Sequence, residues 1–199
     1  MVTPEQRAVA ETAAAAATTA PRPDKPAIWR ALEGVADPEI PVVSVVELGI
    51  VRSVDWDTAD PALLVVHVTP TYSGCPATEL IMAGIRDALA ALGIPRVRLL
   101  TQLAPPWTTD WITAEARTKL RNYGIAPPAG TGPAAAEGDI AVRVDVAGIS
   151  PLRRAHVVVP CPRCGSVETR LVAQFGSTAC KAQYRCAACL EPFDYFKPH

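Results

Sequence analysis

The sequence predicts an α+β fold, in which a small mixed sheet with flanking helices is followed by a short C-terminal β-hairpin module. Two observations predict this. Between residues 26 and 125, apolar residues recur at helical spacing in some segments and as short β-branched runs in others. After residue 157, two closely spaced cysteine pairs flank a segment that can fold back on itself as a hairpin.

The size and charge of the chain limit the classes of function. With 199 residues, 49% of them hydrophobic, the chain has room for one ordinary domain with a packed core and a smaller second one. A formal net charge of −1 provides no general basic field, which argues against nucleic acid as a partner. No apolar run approaches the ~20 residues that span a bilayer. The first 27 residues also lack the apolar core of a signal peptide. We therefore expect a cytoplasmic protein with no membrane partner.

Composition divides the chain into four parts. Residues 1–25 are rich in Ala, Thr and Pro, which predicts a mobile tail. Residues 26–125 form the expected α+β domain, and residues 157–199 form the four-cysteine module. Between them, residues 126–156 begin with an Ala/Gly/Pro-rich linker. Alternating apolar residues at 140–146 predict one extra strand there.

The first half of the α+β domain begins with a helix. It is expected to start near Pro26, since proline suits the first helical turn, and residues 28–35 are apolar at helical spacing. The prolines in residues 37–41 prevent its continuation. Residues 50–56 and 63–68 then predict two strands joined by a turn, which together form a hairpin.

The second half begins with a tight loop at residues 69–76, followed by a helix that ends at Gly93. Residues 96–103 predict a third strand. Residues 111–123 predict another helix, with Asp110 as its N-cap. The expected order is therefore helix–strand–strand–helix–strand–helix. The side chains that the helix before Gly93 should bury are Leu80, Ile81, Ile85, Ala88, Leu89 and Leu92.

Four of the six cysteines form two Cys-x-x-Cys pairs, which in a reducing compartment predict a metal site rather than a disulfide framework. Each pair directs two sulfurs from one tight turn, and Gly165 permits the positive φ that such a turn often needs. Four thiolates form a closed tetrahedral set. We expect structural Zn²⁺, and an iron–sulfur cluster at the same residues stays open as an alternative. The four ligands are Cys161, Cys164, Cys186 and Cys189.

Cys75 is the candidate reactive residue. It lies between Gly74 and Pro76, where a helix is expected to start, and the N–H groups and dipole of a helix N-terminus favour a thiolate. It is thus a candidate nucleophile or soft-metal ligand, or else a cysteine that only occupies the N-cap position. Asp37 and Glu39, held between prolines, are expected to bring carboxylates near it. The alternative for Asp37 is a turn residue.

Cys180 belongs to neither cysteine pair. It is expected at the hairpin tip, away from the metal, where Lys181 could stabilise its thiolate. The alternative is an ordinary free cysteine. His67, within a buried strand, is expected to be a core histidine rather than a ligand. Trp107 and Trp111 are expected to pack against the last helix.

Several motifs together resemble a known family. They are Asp-Pro-Glu-Ile-Pro at 37–41, Leu-Gly-Ile-Val at 48–51, Thr-Pro-Thr-Tyr-Ser-Gly-Cys-Pro at 69–76, Trp-Thr-Thr-Asp-Trp-Ile at 107–112 and Phe-Gly-Ser-Thr-Ala-Cys-Lys at 175–181. The first three resemble the SufT-like metal–sulfur cluster assembly domain. With the C-terminal ribbon added, the chain is similar to the PaaD family, the D components of bacterial phenylacetyl-CoA epoxidase (ring-1,2-epoxidase) systems.

The resemblance implies a non-catalytic accessory role in aerobic phenylacetate catabolism. The oxygenase chemistry then belongs to partner subunits, a diiron oxygenase and an iron–sulfur flavoreductase, and a homodimer is left open. The protein would mature or repair one of their metal centres, with Cys75 handling iron or cluster and Asp37 and Glu39 nearby. Two alternatives remain: a thiol enzyme that uses Cys75, and a zinc ribbon that binds nucleic acid.

Overall fold

The structure is a computed structural model that describes residues 22–72, 74–128 and 158–198. The tail expected at residues 1–25 lies largely outside the described residues, and the extra strand expected at 140–146 lies wholly outside them. Within the described residues, the predicted order of helices and strands up to residue 123 is confirmed. The elements are α1 (Lys25–Glu33), β1 (Val51–Trp56), β2 (Leu64–Val68), α2 (Thr78–Ala91), β3 (Val97–Thr101), a 3₁₀ turn (Thr109–Trp111), α3 (Ala114–Tyr123), β4 (Ile125–Ala126), β5 (Thr169–Ala173), β6 (Lys181–Cys186) and β7 (Pro192–Phe196).

The first sheet is mixed, as predicted. Its strand order is β1-β2-β3, with β1 antiparallel and β3 parallel to β2. The parallel pair arises because α2 connects β2 to β3 and carries the chain back to the same end of the sheet. Alternate residues of the central strand β2 are buried, so one face of the sheet points into the core.

The helices bury the expected faces, with one exception. Ile81, Ile85 and Leu89 of α2 are buried, one residue in every four. Leu80, which we expected on the same face, is 65% exposed. Each helical residue is rotated by about 100° from its neighbour, which turns Leu80 away from the stripe that begins at Ile81.

The start of α3 also differs from the prediction. Thr113, not Asp110, is the N-cap, and its side chain accepts a hydrogen bond from the backbone N–H of Ala116 at 3.1 Å. Asp110 lies one turn earlier, inside the 3₁₀ segment. Both residue types suit an N-cap, so the sequence preference alone did not distinguish between them.

The second sheet has the strand order β4-β7-β6-β5. β5 and β6 form the expected hairpin, and β7 extends it by a second antiparallel pairing. The fourth strand, β4, directly follows α3 and pairs parallel to β7. The sheet of the cysteine module (residues 158–198) is therefore completed by a strand from the N-terminal part (residues 22–128).

Two hydrophobic cores meet at the cysteine module. A small core surrounds the cysteine pairs and includes Phe193 and Tyr195. Cys180 and Phe196, although they come from the module, belong to the large core of the N-terminal part. The ring of Phe196 lies 6.1 Å from that of Trp107, measured between centroids. The module is thus packed directly onto the N-terminal part.

Candidate metal and thiol sites

The four predicted ligands lie together. All four sulfur atoms are within 4.8 Å of one another, a group that could hold a metal ion. The Sγ atoms of Cys161 and Cys189 are 3.7 Å apart, and those of Cys164 and Cys186 are 3.6 Å apart. Four sulfurs in a tetrahedron at ~2.3 Å from one ion would be about 3.8 Å apart. The group therefore has the dimensions of a single-ion site.

Two similar turns, one in each Cys-x-x-Cys pair, hold these sulfurs in position. In the first, the N–H of Gly165 donates to the carbonyl of Cys161 at 2.9 Å, and Gly165 has φ of 75°. In the second, the N–H of Cys189 donates to the sulfur of Cys186 at 3.5 Å. Leu190 occupies the position that corresponds to Gly165 and has φ of 63°. The expected glycine conformation is thus present in both turns, although only one turn has a glycine.

The sulfurs differ in how readily they lose a proton. Backbone N–H groups of Cys189 and Ala188 lower the pKa of Cys186 to about 7. The N–H of Glu191 likewise favours a lower pKa for Cys189. Burial and the neighbouring sulfurs outweigh this effect and raise the pKa of Cys189 to about 12. Four thiolates at such distances repel one another unless a cation neutralises them, which is the electrostatic pattern of a metal site.

Cys75 lies in a turn before α2 rather than at its N-cap. The N-cap is Ala77, and the carbonyl of Cys75 accepts a hydrogen bond from the N–H of Thr78 at 3.2 Å. The helix therefore begins at Thr78, two residues later than the expected first helical position at Pro76. The Cys75 side chain is half-buried and lines a narrow pocket with a cavity volume of about 20 Å³, room for about one water molecule.

Asp37 and Glu39 line the same pocket as Cys75, as the sequence predicted. Asp37 is 7% exposed, and its Oδ1 accepts hydrogen bonds from the N–H groups of Glu39 and Ile40, both at 2.8 Å. Burial raises the pKa of Asp37 above its usual value despite these two bonds. One carboxylate oxygen of Asp37 thus holds the turn that presents Glu39, which matches the alternative interpretation of Asp37 as a turn residue.

Cys180 lines the same pocket from the other part of the chain. It is 4% exposed, and its thiol donates to Oε2 of Glu39 at 3.4 Å across 141 residues of sequence. A second hydrogen bond, 3.0 Å long, joins its sulfur to Oγ1 of Thr178. Sequence reasoning placed Cys180 in the connection before β6 but did not find this partner, because no local pattern links the two segments.

Lys181 does not have the effect expected from its position. Its side chain is buried, and its Nζ lies 3.7 Å from Oδ2 of Asp194. Burial, together with the carboxylate of Glu39, raises the pKa of Cys180 to about 11, although Lys181 opposes the shift. Desolvation therefore outweighs the lysine, and Cys180 is a neutral thiol at pH 7.

Tyr72 lies beside the pocket, near Cys75, and sequence reasoning did not single it out. Its side chain lies near those of Cys75, Glu39 and Cys180. Burial and these three groups raise its pKa to about 12. Its position three residues before Cys75 in the loop was the available signal. The apolar wall of the pocket includes Ile40, Leu48, Val68, Ile81, Met82 and Phe196.

The remaining candidates lie elsewhere. Nδ1 of His67 is 2.9 Å from Oγ of Ser53 on the neighbouring strand, and His67 is half-buried and does not line the pocket. The indole N–H of Trp107 donates to the carbonyl of Leu48 at 2.9 Å, which ties the segment before α3 to the start of the first sheet. Among the described helices, none is long and apolar enough to cross a bilayer.

Two family models match separate parts of the chain. Residues 25–98 match the family described as iron–sulfur cluster assembly protein, and residues 148–197 match the PaaD zinc beta ribbon domain. The chain is 46% identical over 185 residues to the protein of Escherichia coli K12 that is assigned as the D component of 1,2-phenylacetyl-CoA epoxidase. The match covers 91% of this chain and 96% of that one. The chain belongs to the PaaD family.

Other relatives match only part of this PaaD-family chain. The iron–sulfur protein maturation auxiliary factor YitW of Bacillus subtilis is 38% identical over 96 residues, 47% of this chain and 89% of that protein. A solved domain of unknown function, DUF59, from Bacillus anthracis is 27% identical with a TM-score of 0.43. That match covers 47% of this chain and 87% of that domain.

Proposed function

We propose that this protein is an accessory factor that matures or repairs a metal centre, diiron or iron–sulfur, of a phenylacetyl-CoA epoxidase system. Its clients are the diiron oxygenase and the iron–sulfur flavoreductase of phenylacetate degradation, and it works in the cytoplasm. Two matches support this: the epoxidase D component over nearly the whole chain, and the iron–sulfur cluster assembly family over residues 25–98. The observation that carries the proposal is the pocket in which Cys75 meets two carboxylates.

The pocket suits an iron cargo better than thiol catalysis. A thiolate and carboxylates are ligands for ferrous iron, and apolar walls limit the access of competing water. A thiol enzyme would need a base to activate its nucleophile, and histidine is the commonest one. No histidine lines the pocket within the described part of the chain. Cys75 therefore binds and releases the cargo, while Asp37 holds the turn that carries Glu39.

The cysteine module is proposed to hold Zn²⁺ through Cys161, Cys164, Cys186 and Cys189. The short distances between sulfurs support a single ion, because a cluster would place several iron atoms between them. The bound ion would supply cross-linking only, since a closed four-thiolate set leaves no position for a substrate. Such a cross-link stabilises a module whose own core is too small to fold unaided.

The test is the iron content of the client subunits. The epoxidase subunits are co-expressed with wild-type protein, with Cys75→Ser, or with Glu79→Gln as a control that removes an exposed carboxylate of α2 outside the pocket. We expect Cys75→Ser to keep its fold and one equivalent of zinc but to leave the clients with several-fold less iron. Glu79→Gln should match the wild type. Clients fully loaded beside Cys75→Ser would contradict the proposal.

A further inference from the structure

One side of β5, the outer strand of the cysteine module, is uncovered in the part of the chain that the structure describes. β5 stands last in the strand order β4-β7-β6-β5, so β6 pairs with only one of its two sides. Leu171 and Val172 in this strand are exposed, and Phe175, just beyond it, is 68% exposed. An edge strand with exposed apolar side chains is a template for pairing with another chain.

The backbone of β5 also directs polar groups to the uncovered side. The N–H of Ala187 donates to the carbonyl of Glu168 at 2.7 Å, so the backbone of Glu168 points toward β6 and the turn that follows it. Backbone groups alternate in direction along an antiparallel strand. The N–H and carbonyl of Leu171, three residues later, therefore point away from β6, where a further strand would bond to them.

Two arginines lie side by side on one face of the same hairpin. Arg170 of β5 is directly opposite Arg185 of β6, and both are exposed. Directly opposite residues have their side chains on the same face, and like charges there destabilise the pairing. Nε of Arg185 donates to the carbonyl of Leu190 at 3.2 Å, and no ion pair among the described residues includes either arginine. A carboxylate from another chain would relieve this repulsion.

The charge on β5 selects among the chains that would fit this edge. Of its five residues, Arg170 alone is charged, so a second copy paired antiparallel to β5 would bring arginine toward arginine. A segment with carboxylates would instead neutralise Arg170 and Arg185. Side chains alternate between the two faces of a strand, so the residues between those carboxylates would lie on the face of Leu171. The partner that fits is an extended segment in which acidic and apolar residues alternate.

We propose that Arg170, Leu171, Val172, Phe175 and Arg185 form a docking surface, to which a client subunit adds an extended segment of alternating acidic and apolar residues along β5. The proposal rests on the proposed function and adds where the client binds. In strand addition of this kind, main-chain hydrogen bonds provide affinity, and contacts of alternate side chains provide specificity.

The docking surface belongs to the hairpin that also lines the pocket. Directly after Phe175, the N–H of Gly176 donates to the carbonyl of Lys181 at 2.8 Å. Lys181 follows Cys180, and Cys180 lines the pocket together with Cys75. A client bound along β5 is thereby attached to the element that forms one wall of the pocket, which places it close to the cargo.

The experiment measures the affinity of the purified, zinc-saturated full chain for each purified client, the diiron oxygenase and the flavoreductase, by isothermal titration calorimetry. We expect one client to bind the wild type, and Arg170→Glu and Phe175→Ser each to weaken that binding at least about tenfold. The matched controls are Arg86→Glu and Leu103→Ser, which change an exposed arginine of α2 and an exposed leucine after β3. Both controls should bind like the wild type.

Salt provides a readout that a folding defect would not imitate. Added salt screens exposed charges, so binding to the wild type should weaken as salt is added, and the salt dependence should be smaller in Arg170→Glu. Circular dichroism and zinc content check that each variant is folded. If Arg170→Glu does not fold, the wild type alone provides the measurement, and client binding that does not respond to salt would reject the proposal.

Three further outcomes would overturn the docking surface. Wild-type affinity in both Arg170→Glu and Phe175→Ser would mean that the client binds elsewhere, and would leave the proposed function intact. Absence of binding of either client to the wild type would reject the surface, while the iron content of the clients would still decide the proposed function. Sedimentation of the wild type as a dimer, and of Phe175→Ser as a monomer, would assign the edge of β5 to a second copy of this chain.

Discussion

At the scale of residues, Glu39 is the group whose surroundings could least be foreseen. The sequence predicted its proximity to Cys75, because the motifs around residues 37–41 and 69–76 resemble one known domain. Its contact with Cys180 spans 141 residues and depends on how two parts of the chain pack. Local patterns of sequence carry no information on such a pairing, and the thiol of Cys180 was therefore expected beside Lys181 alone.

The chemistry of Cys180 gives a prediction at this scale. Burial and the Glu39 carboxylate raise the pKa of its thiol to about 11, so nearly all of it is neutral thiol at pH 8. Glu39→Gln removes a negative charge and should lower that pKa. With no metal in the pocket, we expect alkylation of Cys180, followed by mass spectrometry, to be several-fold faster at pH 8 in Glu39→Gln. The midpoint of its pH profile should also move to lower pH.

The control for this measurement is Glu168→Gln, which removes an exposed carboxylate of the cysteine module. In Glu168→Gln, Cys180 should be alkylated at the wild-type rate at every pH. An identical pH profile in the wild type and Glu39→Gln would mean that the carboxylate does not act on the thiol.

At the scale of elements, helices and the first hairpin were predictable because their periodicity is local. β4 was not predictable, because a strand of two residues is too short to show a periodic pattern in the sequence. It is a strand because it pairs with β7. The start of α3 was misplaced for a related reason. Asp110 and Thr113 both have the side chain of an N-cap, and packing of the preceding 3₁₀ turn decides which of them is used.

The contact between that 3₁₀ turn and the start of the first sheet gives a second prediction. Gly49 has φ of 69°, and a Cβ added there would lie 2.7 Å from Cβ of Trp111. Gly49→Ala should therefore lose about 3 kcal/mol of unfolding free energy, from backbone strain and overpacking together. Gly93→Ala is the matched control, because Gly93 has φ of 85° with nothing within 4 Å of its added Cβ. It should lose only about 1 kcal/mol. Equal losses in denaturant unfolding would show that the Trp111 contact contributes nothing.

At the scale of the whole molecule, the two parts share structure in two places. β4 joins the sheet of the cysteine module, and Cys180 and Phe196 join the large core of the N-terminal part. The four-cysteine group and the pocket are consequently coupled through β6, which begins after Cys180 and ends at Cys186. The α+β class followed from the sequence, as did the proximity of the four paired cysteines and that of Asp37 and Glu39 to Cys75. The coupling did not, because it depends on how the two parts pack.

This coupling predicts the result of removing the bound metal. Chelation, or Cys186→Ser, should unfold the cysteine module and withdraw Cys180 from the pocket. We expect alkylation of Cys180 to become at least tenfold faster, while Cys75 changes less because its loop belongs to the N-terminal part. Addition of Zn²⁺ should restore the slow rate in the wild type but not in Cys186→Ser. If Cys180 stays protected after the metal is lost, the four-cysteine group and the pocket are independent of each other.

Because Glu39 and Cys180 are 141 residues apart in the sequence, the ribosome adds Glu39 long before the cysteine that contacts it. A ribosome that adds about 5–20 residues per second releases the carboxylate on the order of ten seconds before the thiol that faces it. Once Cys75 has been added, the nascent chain has this thiol and both acidic groups but neither Cys180 nor Phe196 to cover them. A chain interrupted before Cys180 would therefore leave this pocket open on the side that Cys180 and Phe196 line.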